Sequence, residues 1–146
     1  MPKLKFERRI PHSSADMLSL VADVETYPLF VPNCEAMQVK RAGLPAGSSD
    51  ARMTVRLGPI AQAYTSRVAV DATAGTISAH ALDGPFSHLD SLWQIVPDGD
   101  GSQVTFEIDF AISNPLIAAV AEPAFAAKQE EIVDAFLAEA DRRFKN

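Results

Sequence analysis

The chain has 146 residues, of which 47% are hydrophobic and 22% are charged. This composition excludes a fibrous or disordered protein and predicts a single globular domain over residues 1–146. Nineteen acidic residues against thirteen basic ones give a net charge of −6. This charge disfavours binding to nucleic acids or to anionic lipid surfaces. The only cysteine, Cys34, excludes an internal disulfide framework.

The chain has no sequence feature of a membrane-spanning or secreted protein. No apolar run approaches the length of a membrane span, and residues 1–10 alternate charged with apolar side chains, unlike a signal peptide. We therefore expect a soluble protein, and the single cysteine fits a reducing compartment.

The N-terminal part of the sequence predicts one strand and two short helices. Residues 4–10 alternate in polarity, as a strand requires. Ser13 or Ser14 can cap the helix that follows, and Pro28 and Pro32 allow at most one helical turn between them. Apolar residues of the first helix recur at helical spacing: Met17, Leu18, Val21 and Val24.

Turn residues divide the middle of the chain at regular intervals. Glycine and proline clusters fall at 43–47, 58–59, 75, 84–85 and 97–101. The segments between them alternate in polarity with a period of two, most clearly in VTFEIDFAI and also in ARMTVRL and SRVAVDA. With the N-terminal strand, they predict about seven antiparallel strands, joined mostly by hairpins.

The C-terminal segment predicts one long helix that ends at Phe144. Asn114 is suited to the N-cap and Pro115 to the first helical position. Pro123 predicts a kink or break near residues 119–122.

This order of elements contains no βαβ alternation, and no glycine-rich nucleotide-binding motif occurs, so we expect no parallel nucleotide-binding sheet. The order predicts an α+β helix-grip fold. In that fold a curved antiparallel sheet of seven strands wraps around the long C-terminal helix, and two short helices follow the first strand.

Three blocks of the sequence carry a resemblance to a known family. VADVETYPLFVPNCEAM (residues 21–37), GPFSHLDSLWQIVP (84–97) and VTFEIDFAISNPLIAAVAEPAF (104–125) resemble the coenzyme Q-binding START-like proteins. These belong to the polyketide cyclase and lipid-transfer superfamily, which also contains the bacterial ribosome-association toxin. The blocks span nearly the whole chain. One departure is Asn33, which stands where the family pattern FLPWC has tryptophan.

The resemblance implies a START-like ligand-binding domain with a hydrophobic cavity between sheet and helix. It implies that the protein is not an enzyme, requires no cofactor, and binds and transfers ubiquinone or a similar isoprenoid lipid in support of respiratory electron transport. The implied location is a bacterial-type cytoplasm, with transient contact to the inner membrane.

A carrier for such a lipid needs mainly a dry cavity, since each buried CH₂ group contributes about 0.8 kcal/mol. The apolar residues predicted on the concave face of the sheet and on the facing helix are therefore the candidate ligand-binding residues, although each of them singly is also explained as ordinary core. They are Met53, Val55, Leu57, Phe86, Trp93, Phe106, Ile108, Leu116, Ile117, Val120 and Phe125.

Two further groups of residues belong to this prediction. Tyr27, Phe30 and Val31 are candidates for the cavity mouth and for contact with a bilayer; a loop packed on the end of the sheet is the alternative. Trp93 and Tyr64 are candidates for hydrogen bonds to a quinone head, and backbone carbonyls are the alternative partners.

An enzyme of the polyketide cyclase/dehydrase type is one alternative function. His12, His80, His88 and Cys34 lack the spacing of metal ligands, so no metal site is predicted. His88 and Asp90 are two residues apart on a strand and share a face, which makes them a candidate acid–base pair.

A ribosome-association protein that binds the large ribosomal subunit is the other alternative, and it needs a basic surface. The candidate basic residues are Lys3, Lys5, Arg8 and Arg9 near the N-terminus and Arg52, Arg56 and Arg67 on the convex face of the sheet. A solvated strand face explains them as well, and the negative net charge disfavours strong binding to RNA.

Overall fold

The computed structural model describes residues 3–57 and 60–144, and for residues 57 and 60 it describes the backbone only. The elements in chain order are β1 Lys3–Ile10, α1 Ser14–Ala22, a 3₁₀ helix Val24–Leu29, β2 Cys34–Lys40, β3 Ser48–Leu57, β4 Ile60–Asp71, β5 Thr76–Ala81, β6 Phe86–Asp98, β7 Gly101–Ile112 and α2 Pro115–Arg143.

The strands form one antiparallel sheet in the order β1-β7-β6-β5-β4-β3-β2. All neighbours in sequence from β2 to β7 are hairpin-connected, and β1 joins the sheet beside β7. The long helix α2 lies against the concave face, where Phe125, Val133 and Phe136 are buried. The predicted helix-grip architecture is thus confirmed.

Local signals place the helix ends. The Ser13 hydroxyl accepts a hydrogen bond from the Asp16 N–H at 3.1 Å, so Ser13 is the N-cap of α1. The Asn114 side chain accepts from the Leu116 N–H at 2.9 Å at the start of α2. Both residues satisfy helix N–H groups that have no partner within the helix.

Of the kink or break predicted at Pro123, the break does not occur: α2 runs continuously from Pro115 to Arg143. Proline removes the N–H that would bond to the carbonyl four residues earlier, at Ala119. Both Pro123 and Ala119 are exposed, so water can satisfy that carbonyl. None of the helices in the described part of the chain is long and apolar enough to cross a membrane.

Strand β7 buries the side chains that the alternating polarity of its sequence predicts. Val104, Phe106, Ile108 and Phe110 are all buried on the concave face. The ring of Phe136 from α2 contacts those of Trp93, Tyr27 and Phe30, with ring centroids 4.8, 5.0 and 5.1 Å apart. These aromatic contacts fasten the helix to the sheet and to the 3₁₀ segment.

Candidate functional site

A cavity of about 140 Å³ lies between the concave face of the sheet and α2. That volume is close to the size that holds one benzene-sized ring. Of the candidate ligand-binding residues, those that line it are Met53, Val55, Trp93, Phe106, Ile108 and Phe125.

The other candidates lie elsewhere. Phe86 is buried behind the cavity wall, with its ring 5.5 Å from that of Phe125, and Ile117 packs against the core without lining the cavity. The prediction that Leu116 and Val120 face the cavity is wrong, because both are exposed on the side of α2 turned away from Phe125. The side chain of Leu57 lies outside the described residues.

The floor of the cavity consists of small side chains that the sequence analysis did not single out. Ala51, Ser66, Ala79 and Ser91 come from four consecutive strands, β3 to β6. Ala51 lies opposite Ser66, and Ala79 lies opposite Ser91. The sequence signal for these floor residues is a small side chain at an inward-facing position of a strand whose other inward-facing side chains are large. They leave the cavity empty because they are too short to reach α2.

The cavity lining also contains polar groups. Ser66 and Ser91 bring hydroxyl groups and Trp93 brings an indole N–H to this lining. The Tyr64 hydroxyl lies 3.7 Å from the Met53 sulfur, a weak contact. The buried side-chain amide of Gln129 donates to the Phe125 carbonyl at 3.0 Å. An oxygen-bearing ligand can therefore find donors inside an otherwise apolar space.

The mouth of the cavity lies between α2 and the residues Pro32 and Asn33, which precede β2. Its polar lining residues Arg56 and Lys128 are about half exposed. The Arg56 N–H donates to the Asn33 carbonyl at 3.0 Å, and Asn33 has a left-handed backbone with a φ of 66°. Asparagine tolerates that conformation better than most residues, which suits it to this position.

The residues predicted at the mouth differ in their surroundings. Tyr27 and Val31 line the cavity, and the Tyr27 hydroxyl donates to the Val21 carbonyl. Phe30 packs on the rings of Tyr27 and Phe136 instead. Burial raises the pKa of both Tyr27 and Tyr64, so both phenols are protonated at neutral pH.

Cys34 also lines the cavity. Burial raises the pKa of its thiol to about 11. Because the thiolate is the nucleophilic form, this thiol is poorly suited to covalent catalysis at neutral pH.

The histidines lie outside the cavity. His88 contacts the carboxylate of Asp109 at 3.0 Å, not that of Asp90, because Asp109 is on the neighbouring strand β7. His80 lies opposite Asp90 across the β5–β6 pair. His12 is buried and bonded to Asp141 at 2.7 Å. Within the described residues, no three histidine, cysteine or acidic side chains come together as a metal site.

Six of the seven candidate basic residues for a ribosome-binding surface, all but Lys3, are paired with acids in the described part of the chain. Arg8 points to α2 and contacts Glu130 at 2.9 Å, away from the face that carries Lys5 and Arg9. The remaining pairs are Lys5 with Glu7, Arg9 with Asp98, Arg52 with Asp83, Arg56 with Glu35 and Arg67 with Asp50.

Comparison with known proteins agrees with this geometry. Residues 10–137 match the family described as polyketide cyclase / dehydrase and lipid transport. A solved structure of a START superfamily protein from Mycobacterium smegmatis superposes with a TM-score of 0.79, covering 96% of this chain and 97% of that one, at 17% identity. At that identity the likeness shows the fold alone.

Two curated relatives are similar in sequence. The ribosome association toxin RatA of Pseudomonas aeruginosa is 30% identical over 128 residues, which are 87% of each chain. The mitochondrial coenzyme Q-binding protein COQ10 homolog B of Xenopus laevis is 31% identical over 102 residues, which are 69% of this chain and 41% of that protein. The resemblance to coenzyme Q-binding START-like proteins is confirmed.

Proposed function

The chain belongs to the polyketide cyclase / dehydrase and lipid transport family, and we propose that within it the protein is a non-enzymatic carrier of ubiquinone or a similar isoprenoid lipid. The lipid binds in the cavity under α2 and is passed to or from respiratory enzymes of the membrane. The proposed location is a bacterial-type cytoplasm, with transient contact to the inner membrane.

The observation that carries this proposal is the apolar cavity above a floor of Ala51, Ser66, Ala79 and Ser91. An ordinary core would be filled to the density of an organic crystal, whereas here four neighbouring strands each contribute a small residue at the same place. A volume of about 140 Å³ suits one ring-sized group, and a long isoprenoid tail would have to leave through the mouth.

The polar groups of the cavity support a quinone ring as the enclosed group. A quinone carries two carbonyl acceptors, and Ser66, Ser91 and Trp93 each contribute a hydrogen-bond donor to the cavity lining. Burying a carbonyl without a hydrogen bond is unfavourable, so these donors favour an oxygen-bearing head over a plain hydrocarbon.

The chemistry of the lining supports binding over catalysis. Within the described residues, no carboxylate or imidazole lines the cavity, and the pKa of the Cys34 thiol is raised to about 11. General acid–base catalysis at neutral pH needs a group that titrates near that pH, and the ionisable groups facing the cavity interior do not.

Ribosome association is the second candidate function. The observation that favours it is the similarity to a relative named as a ribosome association toxin. Such a function needs an exposed cationic surface, which the pairing of the arginines with acids does not favour.

The proposal is tested on gently purified protein. An organic extract is analysed by mass spectrometry for quinones and other isoprenoids, and the delipidated protein is titrated with a short-tail ubiquinone analogue. Trp93 is the only tryptophan of the chain and lines the cavity, so quenching of its fluorescence reports binding. We expect a co-purified isoprenoid lipid and saturable quenching; absence of both overturns the carrier function.

A further inference from the structure

The first three turns of α2 present an apolar surface to solvent. Leu116 is 84% exposed and Val120 is 58% exposed. Pro123 and Ala127 are exposed as well and follow at the spacing of i+7 and i+11, which places all four residues on one face. We call Leu116, Val120, Pro123 and Ala127 the apolar ridge. A surface helix ordinarily turns polar residues to water.

The ridge carries no charge. Between Pro115 and Ala127 the only ionisable residue is Glu122, and its carboxylate turns toward the sheet to accept the Ile112 N–H at 2.8 Å. The first charged side chain beyond the ridge is Lys128, which reaches the mouth of the cavity.

The ridge lies at the end of the fold where the cavity opens. The Ser113 N–H donates to the Pro85 carbonyl at 2.8 Å, which holds the start of α2 beside the β5–β6 turn. Leu82 in that turn is 47% exposed. The antiparallel register places the first residue of β2, Cys34, at this same end of the sheet.

A third exposed leucine precedes the mouth. Leu29, at the end of the 3₁₀ helix, is 81% exposed. The start of α2 and the β5–β6 turn thus present exposed apolar side chains at the end of the sheet where the cavity opens, and Leu29 lies two residues before Val31, which lines the cavity. Isolated exposed leucines are common, but their grouping with an uncharged helix face marks an interaction surface.

We propose that this end of the protein docks on a lipid bilayer, with the apolar ridge and Leu82 entering the interfacial layer. The inference rests on the proposed function, because docking here lets a lipid move between bilayer and cavity without crossing water. The surface differs from the predicted one at Tyr27, Phe30 and Val31, two of which line the cavity instead.

The charge of the protein predicts whether a zwitterionic or an anionic bilayer is bound more strongly. The ridge has no charge to pair with lipid headgroups, and the net charge of −6 repels an anionic surface. Docking therefore depends on apolar contact, tolerates salt, and is stronger on zwitterionic than on anionic vesicles.

The experiment is flotation with phosphatidylcholine vesicles at low salt and at about 0.5 M salt, where charge interactions are screened. The test variant is Leu116→Ser with Val120→Ser. The control is Val96→Ser, since Val96 is 46% exposed and lies near the opposite end of the sheet, close to the β6–β7 turn. We expect the wild type and the control to float at both salt concentrations, and the double variant to bind at least about tenfold more weakly.

Three results overturn the docking surface: no flotation of the wild type, equal flotation of the double variant, or a wild-type dimer that the double variant abolishes. Titration with the short-tail quinone in vesicle-free buffer separates this inference from the carrier function. Normal quinone binding by a wild type that does not float overturns docking alone. Flotation without quinone binding supports the docking surface and overturns the carrier.

Discussion

Ala79 lies directly opposite Ser91 across the β5–β6 pair, whereas the next inward pair, Ile77 and Trp93, is bulky. The change in size within one strand pair places the empty space above Ala79 and Ser91. A larger side chain at either position would occupy the volume that we assign to the ligand.

The variant Ala79→Leu tests that assignment. Its side chain projects into the cavity, so we expect the affinity for a short-tail quinone to fall at least about tenfold, while the free energy of unfolding changes by no more than about 1 kcal/mol because empty space is filled. Trp93 fluorescence and urea unfolding measure the two quantities.

The matched control is Ala69→Leu, which makes the same change at an exposed position of β4. It should leave quinone affinity unchanged. Full quinone affinity in Ala79→Leu would show that the ligand binds elsewhere.

The Ser91 hydroxyl gives a second prediction. If it donates to a quinone carbonyl, Ser91→Ala loses one hydrogen bond, a net effect of about 1 kcal/mol, or about a fivefold weaker affinity. Ser78→Ala, on the exposed face of β5, is the control and should bind as the wild type does. Equal affinities in both variants would contradict placement of the head on the cavity floor.

Much of this fold follows from local signals in the sequence. The period of two in β7 predicts which side chains are buried, because strand geometry alone alternates the faces. Ser13 and Asn114 mark helix starts because their side chains satisfy nearby backbone groups. Of the kink or break predicted at Pro123, the break was wrong, because Ala119 is exposed on the same helix face and its freed carbonyl can bond to water.

The candidate site was predictable only where one face of an element is apolar. Strand alternation correctly turned Met53, Trp93 and Phe106 inward. In α2, apolar residues surround the first turns, so the sequence does not indicate that Leu116 points away from the sheet. Nor does it reveal ion pairs such as Arg8 with Glu130, whose partners are 122 residues apart.

The raised pKa of Cys34, about 11, predicts a pH dependence of stability. An unfolded thiol titrates near about 8.5, so between that pH and 11 the folded chain holds a proton that the unfolded chain loses. The contribution of the protonated thiol to the free energy of unfolding is fully present below about pH 8.5 and is lost as the pH rises towards 11. Cys34→Ala lacks this contribution, so its unfolding free energy should decline less, by on the order of 3 kcal/mol.

Urea unfolding across the alkaline range measures this difference. The rate of alkylation of the Cys34 thiol gives an independent check, since it follows the thiolate fraction. We expect slow alkylation at pH 7 that accelerates only in the alkaline range. Rapid alkylation at neutral pH would contradict the protonated thiol and favour a nucleophilic role.

The last prediction separates the two candidate functions by their dependence on salt. A net charge of −6 and arginines held by Glu35 and Asp50 leave little cationic surface, so we expect no cosedimentation with large ribosomal subunits at physiological salt. Binding that persists there, and that is lost when Arg56 and Arg67 are changed to serine, would favour ribosome association. Arg67 lies on the convex face of the sheet and Arg56 at the rim of the cavity. Since neither side chain lies inside the cavity, Ala79→Leu, which fills the cavity, should then leave ribosome binding intact.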